Sequence, residues 1–132
     1  IYIRASPTQD SLLGQYYRFE VYGDGNFVIY KGAADANGNT TSTSLKSSLK
    51  PSNAVFTNGT LNHLTVIAKG SQLSFLINNT NVSTFTDTSY KGGAVALFVS
   101  NLKPPATGSP TPANQPVMAQ ATFEKLAVFP AQ

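Results

Sequence analysis

The sequence feature that most constrains the fold is an alternation of apolar and polar side chains across residues 62–101. The apolar members of its three runs are Leu64, Val66 and Ala68, then Leu73, Phe75 and Ile77, then Val95, Leu97 and Val99. Because successive side chains of a β-strand point to opposite faces, each run presents one apolar face to a core. Gly- and Asn-rich residues at 69–71 and 78–81 are typical of hairpin connections, so this stretch predicts paired antiparallel strands.

The same pattern of strands and turns extends through the rest of the chain, and no amphipathic helix longer than a turn or two is predicted. Further strands are predicted at residues 1–4, 15–22, 27–31 and 118–129, with a hairpin turn at 23–26 and a short edge strand at 45–49. Loops are predicted at residues 6–11, 32–43, 52–61 and 103–116, the last a Pro-rich insertion within the domain. We therefore expect a single all-β domain, residues 1–132, built as an antiparallel two-sheet β-sandwich.

Composition restricts the compartment and the partners. Only 11% of the residues are charged, against about 25% in typical globular domains. Ser, Thr, Asn, Gln and Gly replace them, which is typical of an extracellular or cell-surface β-domain. The net charge of +3 comes from scattered basic residues, so no nucleic-acid binding is expected. The chain has no cysteine, which excludes disulfides, thiol nucleophiles and thiolate metal sites.

Two further expectations concern the context of the chain. No apolar run approaches the roughly 18 residues of a membrane span, so we expect no membrane insertion by this segment. The first residues form a strand-like run without an initiating Met and do not resemble a signal peptide. We therefore expect the chain to be a fragment or a processed product of a longer protein.

Four motifs carry a resemblance to a known family. They are Asn62-Leu64-Val66-Ala68-Gly70, Ile77-Asn78-Asn79, Asp87-Gly93-Val95-Ala96-Leu97 and Phe123-Glu124-Lys125-Leu126-Val128. Together with residues 16–32, they resemble the concanavalin A-like lectin/glucanase jelly roll. They are most similar to its bacterial 3-keto-disaccharide-hydrolase-like and laminin-G-like domains. The sequence departs from the family pattern at Asn79 and Ala96, where relatives have glycine, and at Glu124-Lys125, where they have Asp-Asn.

The resemblance covers residues 16–129 and rests on core and turn positions, so it implies a fold more than an activity. Relatives usually carry additional strands before the equivalent of residues 1–4. The resemblance therefore implies a jelly roll that lacks its N-terminal strands, with an edge that an N-terminal fragment or a second chain covers. Similar domains are attached to bacterial membrane-anchored proteins, including sensor-type Ser/Thr kinases, which implies a sensor ectodomain as one specific version.

One face of the predicted strand at 15–22 is both aromatic and charged. Its members, with two residues that join it if neighbouring strands pair in register, are Tyr16, Arg18, Glu20, Tyr22, Arg4 and Tyr30. Tyrosine rings stack on the C–H face of a sugar, while charged groups hydrogen-bond its hydroxyls. The pattern therefore favours a site for carbohydrate or another extracellular ligand. The alternative is a solvated cross-strand ladder without a ligand.

Other candidate sites have weaker patterns. Asp35, Asn37 and Asn39 offer oxygen ligands at alternate positions, as calcium loops do, although the same residue types form turns. The only glutamates, Glu20 and Glu124, lie far apart in the sequence, so the paired carboxylates of a glycoside hydrolase are not indicated. Four N-x-S/T sequons, at Asn39, Asn58, Asn78 and Asn81, indicate exposed turns.

These patterns favour an extracellular, non-catalytic ligand-binding module of a larger bacterial surface or secreted protein, with carbohydrate as the favoured ligand. The first alternative is a structural or adhesion module that contacts other protein domains, and the second is a glycoside hydrolase. No cofactor is expected, apart from the calcium alternative at residues 35–39.

Overall fold

A computed structural model describes residues 1–7, 13–35, 37, 39–48, 52–100 and 120–130. These residues form eight strands: β1 (Tyr2–Pro7), β2 (Leu13–Val21), β3 (Phe27–Ala34), β4 (Thr40–Ser47), β5 (Leu64–Lys69), β6 (Gln72–Ile77), β7 (Thr80–Thr86) and β8 (Ala94–Ala96). A helix with the length and apolar character needed to cross a lipid bilayer is absent from the described part of the chain.

The strands form two antiparallel sheets, which confirms the predicted all-β two-sheet sandwich. The larger sheet has the order β4-β3-β2-β1-β8, and the smaller sheet has the order β5-β6-β7. Most neighbouring strands are consecutive in sequence, as expected where short turns connect antiparallel partners. β8 is the exception, because it returns from the smaller sheet to pair with β1.

The core lies between the two sheets and is built from the predicted alternation. Leu73, Phe75 and Ile77 of β6 are fully buried. They face Tyr17 and Phe19 of β2, which are also fully buried. The rings of Phe19 and Phe75 meet edge to face, with centroids 5.3 Å apart. Because removing an apolar side chain of this size from water contributes roughly 1.5–3 kcal/mol, these side chains hold the sheets together and fix which face of β2 points outward.

The loop predicted at residues 32–43 is largely wrong, because most of it is strand. β3 continues to Ala34, β4 begins at Thr40, and only residues 35–39 connect them. The part of β4 that was not predicted, residues 40–44, consists only of Ser and Thr and is exposed throughout. It therefore lacks the apolar alternation that marks a half-buried strand, and pairing with β3 maintains it. The predicted edge position is confirmed, since β4 is the outermost strand of the larger sheet.

The C-terminal strand predicted at 118–129 is also wrong wherever the structure describes it. Residues 120–130 lie outside any strand and are exposed, including Phe123, Leu126, Val128 and Phe129. An alternating pattern becomes a strand only when a sheet edge pairs with it, and no described strand does so. The run around Val95 forms only the three-residue strand β8. The predicted Pro-rich loop at 103–116 lies outside the described residues.

Candidate functional site

The centre of the candidate site is Arg18, in the middle of the outward face of β2. Antiparallel pairing places Tyr2 of β1 directly opposite Arg18 on one side, and Tyr30 of β3 directly opposite on the other. Directly opposed residues share a face of the sheet, so the three side chains form a row across it. The Arg18 Cζ lies 5.8 Å from the Tyr2 ring centroid and 4.6 Å from that of Tyr30.

Two more rings complete the surroundings of this guanidinium. The Arg18 Cζ lies 5.7 Å from the Tyr16 ring centroid and 5.9 Å from that of Phe98. Each distance is within the roughly 6 Å range of a cation–π contact. We call the surface formed by these rings, Arg18 and the adjoining polar pair the aromatic face: Tyr2, Tyr16, Arg18, Glu20, Tyr22, Tyr30 and Phe98. The Arg18 side chain is 21% exposed, so a ligand on this face can reach it.

The positive charge of Arg18 is balanced within the face. Its Nε lies 2.8 Å from Oε1 of Glu20, at an angle that makes the contact an ion pair and not a directed hydrogen bond. The hydroxyl of Tyr22 donates to the other carboxylate oxygen of Glu20. Burial raises the pKa of Tyr22, and the Glu20 carboxylate raises it further. The face therefore offers hydrogen-bonding groups of both charges with a net charge of zero.

Tyr16 lies beneath the aromatic face and is not accessible to a ligand, because only 4% of the residue is exposed. Its ring lies directly against the backbone of Gly32, the residue on β3 that pairs with Tyr16. A Cβ atom at residue 32 would lie 2.1 Å from the Tyr16 Cζ. Such a separation is far inside van der Waals contact, so glycine is required there for the ring to lie flat on the sheet.

We expect Gly32→Ala to destabilise the chain by about 2 kcal/mol, because the added methyl must displace the Tyr16 ring. Chemical denaturation measures the loss, and near-UV circular dichroism reports the changed tyrosine environment. Gly23→Ala is the matched control, since a Cβ there meets no atom within 4 Å. Equal stability of the two variants would contradict the role given to Gly32.

Arg4 does not join the aromatic face. The pairing of β1 with β2 shifts between Ile3 and Ser6, and Arg4 has a φ of 48°. A β-bulge of this kind inserts a residue and re-aims the side chains around it. Arg4 is buried, and its guanidinium donates to the carbonyl oxygens of Tyr90, at 2.7 Å, and Gly70. It therefore reaches towards the smaller sheet, away from Arg18.

The other predicted members, Tyr16, Arg18, Glu20, Tyr22 and Tyr30, do come together. Sequence analysis missed Tyr2 and Phe98. Tyr2 could have been predicted from the sequence. It lies two residues before Arg4, so the alternation along β1 that predicted Arg4 on this face predicts Tyr2 there as well. Phe98 lies after the end of β8, where strand periodicity gives no information. The face is consequently more aromatic than the sequence indicates.

The candidate calcium residues instead close the turn between β3 and β4. Oδ1 of Asp35 accepts hydrogen bonds from the backbone N–H groups of Asn37 and Asn39, at 2.8 and 2.9 Å. The side-chain amide nitrogen of Asn39 donates to Oδ2. The Asn39 amide, followed by these backbone donors, holds the pKa of Asp35 below its usual range. Donors already occupy both oxygens, so this arrangement does not fit a calcium ion.

The glycoside hydrolase alternative depends on where the two glutamates and the histidine lie. Glu20 is engaged by Arg18 and Tyr22, whereas Glu124 lies in the exposed segment 120–130. His63 is exposed, and its backbone N–H donates to Asn78. In the part of the chain that the structure describes, no group of three or more His, Cys, Asp or Glu side chains is placed to hold a metal ion.

Comparisons of the chain with protein-family models, with curated proteins and with solved structures find no match in any of the three.

Proposed function

We propose that the chain is an extracellular, non-catalytic binding module whose aromatic face binds an uncharged carbohydrate. The observation that supports this proposal is the placement of Arg18 among four aromatic rings, with its charge balanced by Glu20, on the outward face of a sheet. Aromatic surface with a few fixed polar groups is the usual make-up of a small-molecule site.

The half-buried rings give the face its stacking surface. Tyr2, Tyr22 and Tyr30 each keep part of their surface open to solvent. A pyranose has an apolar C–H face, which packs on such rings, and a rim of hydroxyls. Arg18 supplies N–H donors to those hydroxyls and Glu20 supplies an acceptor, and charge-assisted hydrogen bonds of this kind are stronger than neutral ones.

Charge balance argues for an uncharged ligand. An acidic sugar would compete with Glu20 for Arg18, and a cation would compete with Arg18 for Glu20. Separating this partly buried ion pair leaves one charge without its partner, which is costly. A neutral sugar avoids that cost because its hydroxyls both donate and accept.

We expect Tyr30→Ala to weaken binding of the best glycan by about tenfold or more, since the ring nearest Arg18 is lost. The test is a glycan array with the labelled chain, followed by calorimetric titration of the strongest ligand. Tyr30→Phe is the matched control, because it keeps the stacking surface and removes only the hydroxyl. Arg18→Gln tests the polar half of the site separately.

Two outcomes would overturn this proposal. One is an array that stays silent for the folded chain. The other is a saturable ligand whose affinity is unchanged in both Tyr30→Ala and Arg18→Gln, because such a ligand would occupy another surface.

A structural or adhesion module is the second candidate, and a specific observation favours it. Residues 120–130 expose four large apolar side chains and have no strand partner among the described residues, and exposed apolar surface of this kind marks protein contacts. In this version a second chain or a preceding segment completes a sheet edge. A silent array, combined with concentration-dependent association in sedimentation that deletion of residues 120–130 abolishes, would favour this candidate. A sensor ectodomain is compatible with either version.

A further inference from the structure

A concave feature lies on the opposite side of the larger sheet from the aromatic face. It is a cleft of about 250 Å³, lined by Arg4, Gly70, Ser71, Asp87, Thr88 and Lys91. The turn between β5 and β6 forms one wall, and the segment that follows β7 forms the other. The backbone N–H of Asp87 donates to the Ser71 carbonyl oxygen at 2.9 Å and joins the two walls.

Arg4 gives this cleft its electrostatic character. The residue is only 9% exposed, and its guanidinium donates to two neutral carbonyl oxygens, those of Tyr90 and Gly70. The ion pairs among the described residues are Arg18 with Glu20 and Lys31 with Asp87, and neither includes Arg4. Arg4 thus has no ion-pair partner in the part of the chain that the structure describes. A buried charge without an opposite charge is unfavourable, so an anion beside Arg4 would be stabilised.

Among the described lining residues, Asp87 carries a carboxylate, and this carboxylate does not neutralise the charge of the cleft. Oδ2 of Asp87 lies 2.6 Å from Nζ of Lys31, which also donates to Ser89. The charge of Asp87 is therefore already balanced by a residue outside the lining. Arg4 and Lys91 remain as the cationic lining residues, with the hydroxyls of Ser71 and Thr88 as further donors.

From this placement we propose that the cleft binds a small oxyanion. Arg4 and Lys91 supply the charge, while Ser71 and Thr88 supply neutral hydrogen bonds. The volume lies below the roughly 300–1,000 Å³ of pockets for drug-sized ligands, which limits the occupant to a single acidic monosaccharide or an inorganic oxyanion. This site is separate from the aromatic face and does not depend on the function proposed for it.

The test is an NMR titration of the ¹⁵N-labelled chain with sodium glucuronate, sodium sulfate and glucose, at constant ionic strength. We expect the amide resonances of Gly70, Ser71, Thr88 and Lys91 to shift saturably with an anion and not with glucose. Binding of glucuronate alone identifies a sugar acid as the ligand, whereas equal or stronger binding of sulfate identifies a general oxyanion site. Either result supports the proposal.

We expect Lys91→Gln to weaken anion binding by about tenfold, as loss of a charge-assisted contact does. Lys91 is exposed, so this variant keeps the fold, whereas replacement of Arg4 removes two bonds that hold the walls. Lys46→Gln, an equal charge change on β4, is the matched control. The proposal is overturned if neither anion saturates these resonances, if glucose shifts them as strongly, or if Lys91→Gln and Lys46→Gln bind alike.

Discussion

Asp87→Asn is expected to lower the free energy of unfolding at pH 7 by about 2–3 kcal/mol, because an ion pair between the two sheets is lost. Lys31 lies on β3 of the larger sheet, and Asp87 follows β7 of the smaller one. Nζ of Lys31 donates to Oδ2 of Asp87 at 2.6 Å, and the backbone N–H of Ser89 donates to Oδ1 at 2.7 Å. The side chains of Asp87 and Lys31 are only 16% and 27% exposed, so solvent screens the pair weakly.

The same contacts predict how stability depends on pH. Burial tends to raise the pKa of Asp87, but donation from Lys31 and Ser89 outweighs it and holds this pKa well below its usual range. A carboxyl with a depressed folded-state pKa stabilises the fold above its unfolded-state pKa of about 3.9. That contribution is lost as the pH falls below this value towards the folded-state pKa. The stability difference between the native chain and Asp87→Asn should therefore shrink below about pH 4.

Urea denaturation at a series of pH values measures both effects. Asp35→Asn is the matched control, since Asp35 lies in an exposed turn and asparagine can still accept from its backbone neighbours. We expect this control to stay close to the native chain at pH 7. If Asp87→Asn were as stable as Asp35→Asn at pH 7, the ion pair would not connect the sheets in the way described.

Sequence analysis succeeded where an apolar side chain at every second position must be buried. The strands β5 and β6, and the division of β2 into a core face and an outward face, follow from that alternation. It failed where a strand is maintained by pairing alone, as in the exposed Ser/Thr strand β4. The strand prediction was also wrong at residues 120–130. Apolar and polar side chains alternate there, but no described strand pairs with the segment.

The site was predictable to the extent that strand register was predictable. Tyr30 lies opposite Arg18 because the short turn at 23–26 fixes the pairing of β2 with β3. Arg4 was misplaced because a bulge shifts the alternation by one residue, and nothing in its local sequence marks that bulge. Phe98 reaches the face from outside a strand, so its position depends on tertiary packing that a single sequence does not reveal.

Asn78 has a structural role that its N-x-S/T sequon does not indicate. It lies in the turn between β6 and β7 with a φ of 50°. Its Nδ2 donates to the Ala54 carbonyl oxygen at 2.9 Å and to Oδ1 of Asn62 at 2.8 Å. Its Oδ1 accepts from the backbone N–H of His63 at 2.8 Å. The Asn78 side chain thus connects the loop at residues 52–61 to the smaller sheet. Val55 of that loop is buried in the core.

We expect Asn78→Ala to destabilise the chain by about 3 kcal/mol, because three hydrogen bonds are lost and alanine disfavours a positive φ. Asn78→Gly removes the backbone penalty and should recover about 1 kcal/mol of that loss. Asn79→Ala is the control for the backbone alone, since Asn79 is exposed with a φ of 65°, and it should cost about 1 kcal/mol. Chemical denaturation measures these differences, and limited proteolysis at residues 56–61 should accelerate in both Asn78 variants but not in Asn79→Ala. If Asn78→Gly matched the native chain in both assays, the turn conformation would be the whole role of Asn78. The side-chain amide would then not hold the loop.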